Sequence, residues 1–598
     1  RDLLQQYTVL INDLPKDLRT HATLDAYLEA LFPGNVDAVH ITMECRALEA
    51  KVAARKAMLT KLERAMVVNQ RKSPPRIKVN AEMVDAIPHY QSQLTELNTA
   101  IQLDIEALHT HEAELGESHD AGASQFIPEE AAIAKVMRPT ALVTFHSLQA
   151  TQSALQMVQT TNPLEFNVAP APHPSDMIWT NLGRTLHVRN SARLACTLVT
   201  AAVIFLWTGP TVFVTSLSNV QLWREKSPWL DDLFTTHPQL VPLFKQLSPL
   251  GLVAFSVLAP YVFLFIASFE GHASQSEMES SIYTKLVIFH FYQTFVVSLF
   301  ATSLTSALPT ILQQPVEAVH IMSKAVPQQA SLYMSYLIIQ TGLSLTIRLY
   351  RVVAFWCALV YRVCAPRVTP RERRASWFGF TPTSVAEICD QSYQLPHFFL
   401  AILFVLVFCP ITPILGWCGC ILFVLADVVY RRLFFFVFSP APFTTGVYWP
   451  KMYTFIVRGM YVAQIILIGM LWLRVDDAKQ GEAKTETADV NVVDNAYLYA
   501  IFPTVVATLL PVATMIMDWH IQALYPQTAR FLPLAECCRL DAARRIDPEM
   551  HKQDSAVYVQ PAMQESAPLE PNISDLVLST DLEASYGAMK DSPVVMCG

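Results

Sequence analysis

A row of hydroxyl side chains marks one long apolar segment of the chain. Thr294, Ser298, Thr302 and Thr305 follow one another at the three- and four-residue intervals that place side chains on one face of an α-helix. Gln293 stands beside this row, and an amide within a lipid bilayer needs a hydrogen-bonding partner or water. The row could therefore line a hydrated path. It could also pack against another helix, because small and hydroxyl residues are common at helix contacts in lipid.

A second apolar segment carries polar residues of a different kind. Ser335, Gly342 and Thr346 lie near one helical face, with Gln340 close by and Arg348 towards the end of the segment. Glycine lacks the side chain that would stiffen a bend, so Gly342 could be a hinge at which the helix kinks or straightens. It could equally allow a neighbouring helix to approach closely. We regard these five residues, together with Gln293 and the hydroxyl row, as candidate lining or gating positions.

These segments belong to a chain with long runs that lack charged residues. Of its 598 residues, 52% are hydrophobic and 16% are charged, against about 25% charged in soluble proteins. A transmembrane helix needs about 20 apolar residues, and this criterion predicts a multi-pass α-helical membrane domain over residues 190–520, with a tight helical turn at Cys409–Pro413. The eight predicted spans are 194–217, 249–269, 285–309, 329–361, 394–409, 413–433, 452–473 and 496–517.

The distribution of basic residues orients the predicted spans. Cytoplasmic flanks carry an excess of Lys and Arg, and such residues cluster before the first span, after the fourth and sixth, and at the start of the seventh. The loop 474–495 on the opposite side is acidic, but one predicted inner loop, Glu270–Glu279, is acidic too and breaks the pattern. We therefore predict that residues 1–190 are cytosolic. Residues 521–598, rich in Pro, Ser and acidic residues, are predicted to form a largely disordered cytosolic tail.

Residues 1–180 have the pattern of a cytosolic α+β domain. The predicted strands are Tyr7–Ile11, Val36–Met43, Ala141–Phe145 and Glu165–Val168, and the predicted helices are 17–31, 44–70, 89–114 and 147–159. We interpret residues 44–114 as a helical hairpin inserted into a ferredoxin-like arrangement, which RNA-recognition (RRM) modules also use. RNA binding would need paired aromatic residues on the central strands. Only Phe145 is present, so we expect no nucleic-acid partner.

Short motifs with a characteristic order run through most of the chain. They are Tyr7–Pro15, Ala141–Phe145, Phe166–Leu182, Phe269–Gly271, Tyr336–Ser344, Pro410–Pro413, Val428–Arg431 and Tyr448–Pro450. Their order and spacing resemble those of the OSCA-type osmosensitive, stress-gated and calcium-permeable cation channels of plants, with fungal and animal relatives. The resemblance covers about residues 5–520. It implies about 11 spans in the family, three of which would precede the point where this chain begins.

The resemblance also implies a function and partners. It suggests an ion pore lined by the first five spans of this chain and opened by membrane tension or osmotic stress, with permeating cations and membrane lipids as partners. Gln293 occupies a position where the family often has Asn. A homodimer joined through the cytosolic domain and a plasma-membrane location are further expectations, with an endomembrane as the alternative. Tyr558–Ala562 in the tail looks like a short family element that docks on the cytosolic domain.

Two residues of the fourth span depart from the resemblance. Plant members carry acidic residues along this helix, whereas this chain has Gln340 near one such position and Arg348 near the other. An arginine beside a pore disfavours cations, unless it pairs with an acid, faces away or extends to the cytosolic surface. The position of Arg348 near the inner boundary favours the last arrangement. Ion selectivity therefore stays open between a calcium-permeable and a weakly selective pore.

The chain lacks the motifs of common enzymes. It has no phosphate-binding Gly-rich loop, no G-x-S-x-G and no HExxH, and its 11 cysteines show no disulfide or zinc spacing. We therefore predict no enzymatic activity, no cofactor and no metal site. Two alternatives to a channel remain: a lipid scramblase of the same superfamily, whose polar groove would admit lipid headgroups, and a membrane trafficking protein without transport of its own.

Overall fold

The chain divides into two compact units in a computed structural model. The first unit comprises Arg1–Leu186, Arg351–Ala386 and Leu534–Gly598, and the second comprises His187–Tyr350 and Glu387–Pro533. The structure describes residues 4–71, 76–79, 82–120, 137–162, 164–217, 220–300, 329–366, 369–382, 385–439, 446–484, 490–525, 531–544 and 558–571.

The first unit contains an α+β domain. Its elements are β1 (Thr8–Asn12), α1 (His21–Leu31), β2 (Val36–Met43), α2 (Arg46–Arg71), β3 (Arg76–Val79), β4 (Glu82–Asp85), α3 (Ala86–Asp120), β5 (Met137–Phe145), α4 (Leu148–Gln156) and β6 (Asn167–Pro170). Short 3-10 turns lie at Leu4–Gln6, Lys16–Leu18, Pro174–Asp176 and Trp179–Asn181.

A four-stranded sheet forms the centre of this domain. The strand order is β2-β5-β1-β6 and each neighbouring pair is antiparallel. Strand β5 is buried along its whole length because it is covered on both faces, and Thr20 and Ser147 cap the helices α1 and α4 with their hydroxyl groups. The first and third strands of the four-stranded pattern, β1 and β5, lie in the middle of the sheet, as in ferredoxin-like domains. The predicted fold class is confirmed.

The inserted helices pack against each other as an antiparallel pair. Leu59 and Leu62 of α2 and Leu94 of α3 are buried together. Between the two helices the chain forms a small antiparallel pair of strands, β3 and β4. The sequence predicts only a basic connection in this stretch, because strands of four residues are too short to show an alternating pattern.

The second unit is a bundle of long apolar helices. The first are α5 (Leu186–Ser216), α6 (Val220–Lys226), α7 (Pro228–Thr236), α8 (Leu240–Lys245), α9 (Leu247–Ser268) and α10 (Gln275–Phe289). Helix α10 continues as a π-helical segment, His290–Val297, and a final described turn, Ser298–Phe300. Helix α11 (Gln329–Leu349) contains a second π-helical segment, Gln340–Ser344.

The remaining helices alternate between the two units. Helices α12 (Val352–Cys364) and α13 (Pro370–Arg374) belong to the first unit. The second unit continues with β7 (Glu387–Ile388), α14 (Gln391–Phe408), α15 (Pro413–Phe436), β8 (Phe438–Ser439), α16 (Tyr448–Lys484) and α17 (Val490–Leu524). Helices α18 (Leu534–Arg544) and α19 (Pro561–Gln564) belong to the first unit again.

Seven of the described helices are long and apolar enough to cross a membrane. They are α5, α8 together with α9, α11, α14, α15, the part Tyr448–Val475 of α16 and the part Ile501–Leu524 of α17. Helix α10 and its π-helical segment cover the beginning of the predicted third span, 285–309. The rest of that span, with Thr302 and Thr305, lies outside the described residues. We use "third span" for Gln275–Phe300, "fourth span" for α11 and "fifth span" for α14.

The predicted fourth span, 329–361, is divided in the structure. Helix α11 ends at Leu349, and Arg351 adopts a left-handed backbone conformation with φ 51° before α12 begins at Val352. A left-handed residue interrupts an α-helix because it reverses the sense of the turn. Apolar composition alone could not reveal this break, since the residues on both sides are equally hydrophobic.

Aromatic side chains and one glycine contact hold the centre of the membrane bundle together. The ring of Tyr333 lies 4.4 Å from that of Phe404 and 4.9 Å from that of Phe408. At Gly419 of α15 an added Cβ atom would come within 2.5 Å of a methyl group of Val405 in α14. Only glycine allows this approach, so the hairpin predicted at Cys409–Pro413 connects two tightly packed helices.

The described parts of the C-terminal region pack on the α+β domain. Asp541 of α18 accepts hydrogen bonds from the backbone N–H groups of Leu148 and Gln149, at the start of α4. The hydroxyl of Tyr558 donates to the carbonyl of Pro172 over 3.1 Å. The amide of Gln560 accepts from the N–H of Met43 and donates to its carbonyl, over 3.1 and 3.0 Å. The docking predicted for Tyr558–Ala562 is therefore seen in the structure.

Candidate functional site

Three of the predicted site residues lie in the π-helical segment of the third span or directly after it. Gln293 and Thr294 lie within it and Ser298 follows it, and all three are buried, at 1%, 3% and 0% exposure. A π-helix adds a residue to each turn, so that carbonyl groups lose their usual partners. The hydroxyl of Ser298 donates to the carbonyl of Gln293, five residues earlier, over 3.2 Å.

Gln293 connects the third span to the first. Its Nε2 group donates to the carbonyl of Ile204 and, over 3.2 Å, to the hydroxyl of Thr208, both in α5. The partner that an amide in a membrane requires is thus provided on one side. The Oε1 atom is buried and has no hydrogen-bond partner among the described residues.

Tyr333 connects the third, fourth and fifth spans. Its hydroxyl, on α11, donates over 2.8 Å to the carbonyl of Phe295, inside the π-helical segment. Its ring lies against Phe404 of α14. One fully buried side chain therefore satisfies the irregular backbone of the third span and packs the fourth span against the fifth. The sequence shows no motif for this role, because Tyr333 resembles any other aromatic residue in an apolar segment.

The candidate residues of the fourth span lie in more open surroundings. Ser335 and Gln340 are half-buried, and Gly342 and Thr346 are exposed. The Ser344 hydroxyl donates to the Gln340 side-chain carbonyl over 3.0 Å. A Cβ atom added at Gly342 would meet nothing within 4 Å in the described part of the chain. The hinge and the close helix contact both stay predictions for Gly342, which lies in a π-helical segment, a type of backbone that is frequent at functional sites.

Arg348 is half-buried near the end of the fourth span. Its electrostatic neighbours among the described residues include Cys389, His397 and Tyr430, which are neutral groups in their ordinary states. The structure thus places its guanidinium beside the start of the fifth span. Its effect on permeating ions stays a prediction.

The carboxylates of the acidic loop that breaks the positive-inside pattern are paired with nearby basic side chains. Lys285 Nζ lies 2.5 Å from one carboxylate oxygen of Glu270, and His272 Nε2 lies 2.7 Å from the other. Ser281 donates to Glu270 over 2.7 Å. Glu277 accepts from the N–H of Ala273 and lies 3.8 Å from His272 Nδ1. We call Glu270, His272, Glu277, Ser281 and Lys285 the charged cluster.

Contacts within the charged cluster shift the pKa values of Glu270 and His272, which lie in the loop between α9 and α10. Burial alone would raise the pKa of Glu270, but hydrogen bonds from His272, Lys285 and Ser281 outweigh it and lower the pKa to about 2. Burial alone would lower the pKa of His272, but its bonds to Glu270 and Glu277 raise it. Sequence reasoning identified the acidic loop and missed its pairing, because Lys285 lies one helical stretch further along the chain.

The seventh predicted span is attached to the same end of α10. Lys451 Nζ donates to the hydroxyl of Ser280 over 2.6 Å and to its carbonyl over 3.2 Å. The Tyr448 hydroxyl donates to Glu279 over 3.3 Å. The N-terminal half of the third span is therefore anchored by charge-assisted contacts on several sides.

Several buried polar atoms of the bundle lack such partners among the described residues. Five lie on two helices: Tyr283 Oη, His290 Nδ1 and Gln293 Oε1 of the third span, and Ser392 Oγ and His397 Nδ1 of the fifth. Others lie on neighbouring helices: Trp207 Nε1, Ser248 Oγ and Gln464 Oε1. Most buried polar groups in proteins are hydrogen-bonded. The third and fifth spans together carry five such atoms.

Two family models match separate parts of this chain. A model described as the 7TM region of a calcium-dependent channel, RSN1_7TM, matches residues 192–471. A model described as "Cytosolic domain of 10TM putative phosphate transporter", PHM7_cyt, matches residues 6–181. The description of the first model also ends on the word phosphate. The boundary between the two matches lies close to the beginning of α5.

Curated relatives align with most of the chain. The "Hyperosmolality-gated Ca2+ permeable channel 1.8" of Arabidopsis thaliana is 23% identical over 578 residues, which are 93% of this chain and 64% of the relative. Channel 1.5 of the same plant is 23% identical over 78% of this chain and 59% of the relative. The Saccharomyces cerevisiae protein RSN1 is 23% identical over 78% of this chain and 49% of the relative. The chain thus spans about half to two thirds of their lengths.

Proposed function

This chain belongs to the OSCA/RSN1 family, and from that premise we propose that it forms the conducting and gating part of a calcium-permeable cation channel opened by osmotic stress or membrane tension. Relatives named for hyperosmolality gating and calcium permeability match its cytosolic and membrane domains in one alignment. The chain is a multi-pass membrane protein with a cytosolic α+β domain. The plasma membrane is the location we propose.

The observation that carries this proposal is the group of unpartnered polar atoms on the third and fifth spans. A polar atom without a partner in lipid costs several kcal/mol. Water in a path between these helices would remove that cost and provide a route for ions. The buried hydroxyl groups of Thr294 and Ser298 would then lie beside this route.

The proposed gate is the pair of π-helical segments, His290–Val297 and Gln340–Ser344. Conversion of a π-helical turn to an α-helical one rotates every residue beyond it, and such segments occur frequently at functional sites. Membrane tension favours the state with the larger area in the membrane. A fourth span that straightens near Gly342 while Tyr333 releases Phe295 would couple that expansion to the third span.

Cation preference would come from dipoles rather than from acidic side chains. Gln340, Thr294 and Ser298 offer neutral oxygen atoms, and Arg348 adds a positive charge that disfavours cations. We therefore propose a weakly selective pore that admits calcium. Replacement of Arg348 by Gln should raise the permeability of divalent relative to monovalent cations.

The proposed ion path between the third and fifth spans can be tested by the accessibility of introduced cysteines to a charged reagent. In the full-length protein in liposomes, a positively charged thiol reagent should reduce pressure-activated current through Thr294→Cys. The matched control is Ile288→Cys, because Ile288 lies on the same helix and is exposed on the surface of the bundle. The native protein must first be shown to ignore the reagent, since the chain contains 11 cysteines. Equal effects at both positions would contradict the assignment.

The same preparation distinguishes the channel from the two alternative functions, a scramblase and a trafficking protein. Pressure-independent transfer of fluorescent lipid between leaflets would identify a scramblase, since a polar groove that is open to lipid admits headgroups. Absence of both current and lipid transfer would favour a trafficking protein. Phosphate flux, which the family descriptions raise, is measured by replacing chloride with phosphate during the recordings.

A further inference from the structure

Two histidine side chains meet between the third and fifth spans. His290 lies in the π-helical segment and is buried, and His397 lies in α14 and is partly buried. Their ring centroids are 4.9 Å apart and the rings are inclined at 45°. Neither Nδ1 atom has a hydrogen-bond partner among the described residues. This pair is distinct from the charged cluster, whose histidine is bonded to carboxylates.

The pair has the chemistry of a metal ligand set. Burial favours the neutral imidazole, and neutral imidazole is the commonest protein ligand of transition metals. An ion about 2.0–2.1 Å from one nitrogen of each ring would place the two ring centres about 5–6 Å apart in tetrahedral geometry. The observed separation is close to this range, so small rotations of the rings suffice.

A simple ring contact is the competing explanation. His290 also lies 5.4 Å from the ring of Phe289, as expected of an aromatic residue in a packed bundle. Ring contacts, however, leave both Nδ1 atoms without a partner, and buried nitrogen atoms of this kind are rare. A bound ion removes the lack of partners at both rings together.

We propose that His290 and His397 bind a borderline divalent transition metal, of which Zn²⁺, Ni²⁺ and Cu²⁺ are the candidates. Imidazole favours these ions, whereas Ca²⁺ and Mg²⁺ favour oxygen ligands. No group of three or more His, Cys, Asp or Glu side chains suited to a metal is found in the part of the chain that the structure describes. Water therefore completes the coordination, and the ion exchanges with solvent.

The position of the site predicts what the ion does. It connects the π-helical segment of the third span to the fifth span, so that a bound ion holds the two helices together. Arg348, which acts electrostatically on His397, opposes a second positive charge and weakens binding. If the proposed channel function is correct, the metal inhibits opening. Binding itself does not depend on that function.

Thermal unfolding of the purified full-length protein tests binding without reference to conduction. Zn²⁺ at micromolar concentration should raise the melting temperature, since a ligand that binds only the folded state stabilises it, and a chelator should reverse the rise. His290→Gln and His397→Gln should each require at least tenfold more Zn²⁺ for the same rise. His520→Gln is the matched control, because His520 is exposed in α17, and it should respond as the native protein does. A native protein without a rise, or single variants with an unchanged one, would overturn the site.

A cysteine variant and a current recording test the site independently of the Gln variants. If either Gln variant does not fold, a double change of His290→Cys with His397→Cys provides two softer ligands, and Cd²⁺ should stabilise it at concentrations that leave the native protein unaffected. No added Cd²⁺ stabilisation would then contradict the pairing. In patches, Zn²⁺ should inhibit the native current, and Arg348→Gln should lower the inhibitory concentration several-fold. Stabilisation by Zn²⁺ in a protein that never conducts would support the site and refute the proposed channel.

Discussion

The charged cluster at the start of the third span and the π-helical segment within that span treat their polar groups in opposite ways. In the charged cluster, Glu270, His272 and Lys285 are buried with nearly every oxygen and nitrogen in a short contact. In the π-helical segment, His290 and Gln293 retain atoms without partners among the described residues. A completely paired group of charges resists rearrangement because any movement exposes an uncompensated ion. The comparison teaches that the charged cluster is a fixed anchor, whereas the π-helical segment can change its bonding.

The largest expected effect is at the anchor. Lys285→Met leaves the Glu270 carboxylate buried with one fewer positive charge, and such changes cost about 3–5 kcal/mol. Thermal unfolding in detergent should show the loss as a large fall in melting temperature. The double variant with Glu270→Gln as well should recover part of it, since no unpaired charge then remains. A single variant as stable as the native protein would remove the contrast between the charged cluster and the π-helical segment.

The hydrogen bonds between Gln560 and Met43 in the first unit provide an independent test of how much a buried polar contact contributes to stability. Gln560→Ala leaves the backbone N–H and carbonyl of Met43 without their side-chain partners, at a cost of about 1–3 kcal/mol for each buried group. We expect faster hydrogen exchange at Met43 and faster proteolysis of residues 558–571. Gln564→Ala, on the exposed side of the same segment, is the control and should leave both rates nearly unchanged. Equal rates in the two variants would mean that the segment is held elsewhere.

Both acid and alkali should weaken the charged cluster, each through a different residue. The pKa of Glu270 is lowered to about 2, so its stabilising effect is present above its unfolded value and is lost as the pH falls towards 2. The pKa of His272 is raised, so its contribution is present below its unfolded value and is lost as the pH rises through the raised folded value. Melting temperatures across pH should therefore decline on both sides. His272→Gln should remove the alkaline decline, and a decline that persists in it would contradict the assignment.

The smallest effect on stability is expected at the proposed hinge. Gly342→Ala places a methyl group in open space and should stabilise a regular α-helix by about 1 kcal/mol or less. The pressure threshold for opening should nevertheless change, because the π-helical turn becomes less favourable. Gly419→Ala is the contrasting variant, since its Cβ atom would collide with Val405 and cost about 1–3 kcal/mol. An unchanged threshold in Gly342→Ala, with stability as expected, would refute the hinge.

The regular parts of the fold follow from patterns that the sequence displays. Strand β2 has the predicted limits, Val36–Met43, because alternation and β-branched residues are visible over eight positions. The spans α14 and α15 follow from charge-free length and from the prolines between them. The α+β domain was recognisable for the same reason, since each of its larger elements is long enough to show its period.

The candidate site was only partly predictable. Thr294 and Ser298 are both buried in the structure, but a π-helical segment differs from an α-helix by one residue and produces no separate pattern. The pairings of Glu270 with Lys285 and of His290 with His397 depend on how helices pack. Hydropathy does not encode that packing, because many apolar side chains fit the same contact. Arg351 ends the fourth span through a backbone conformation that its residue type does not require.

The most direct measurement of the central claim is a pair of assays on the full-length protein in liposomes. Stepped suction on excised patches and transfer of fluorescent lipid are recorded from the same preparation. We predict unitary currents that increase with pressure, carry calcium and occur without lipid transfer, and we predict that a charged reagent reduces them in Thr294→Cys and leaves Ile288→Cys unaffected. Lipid transfer without pressure dependence, or currents that ignore the reagent at Thr294, would contradict a gated ion path between the third and fifth spans.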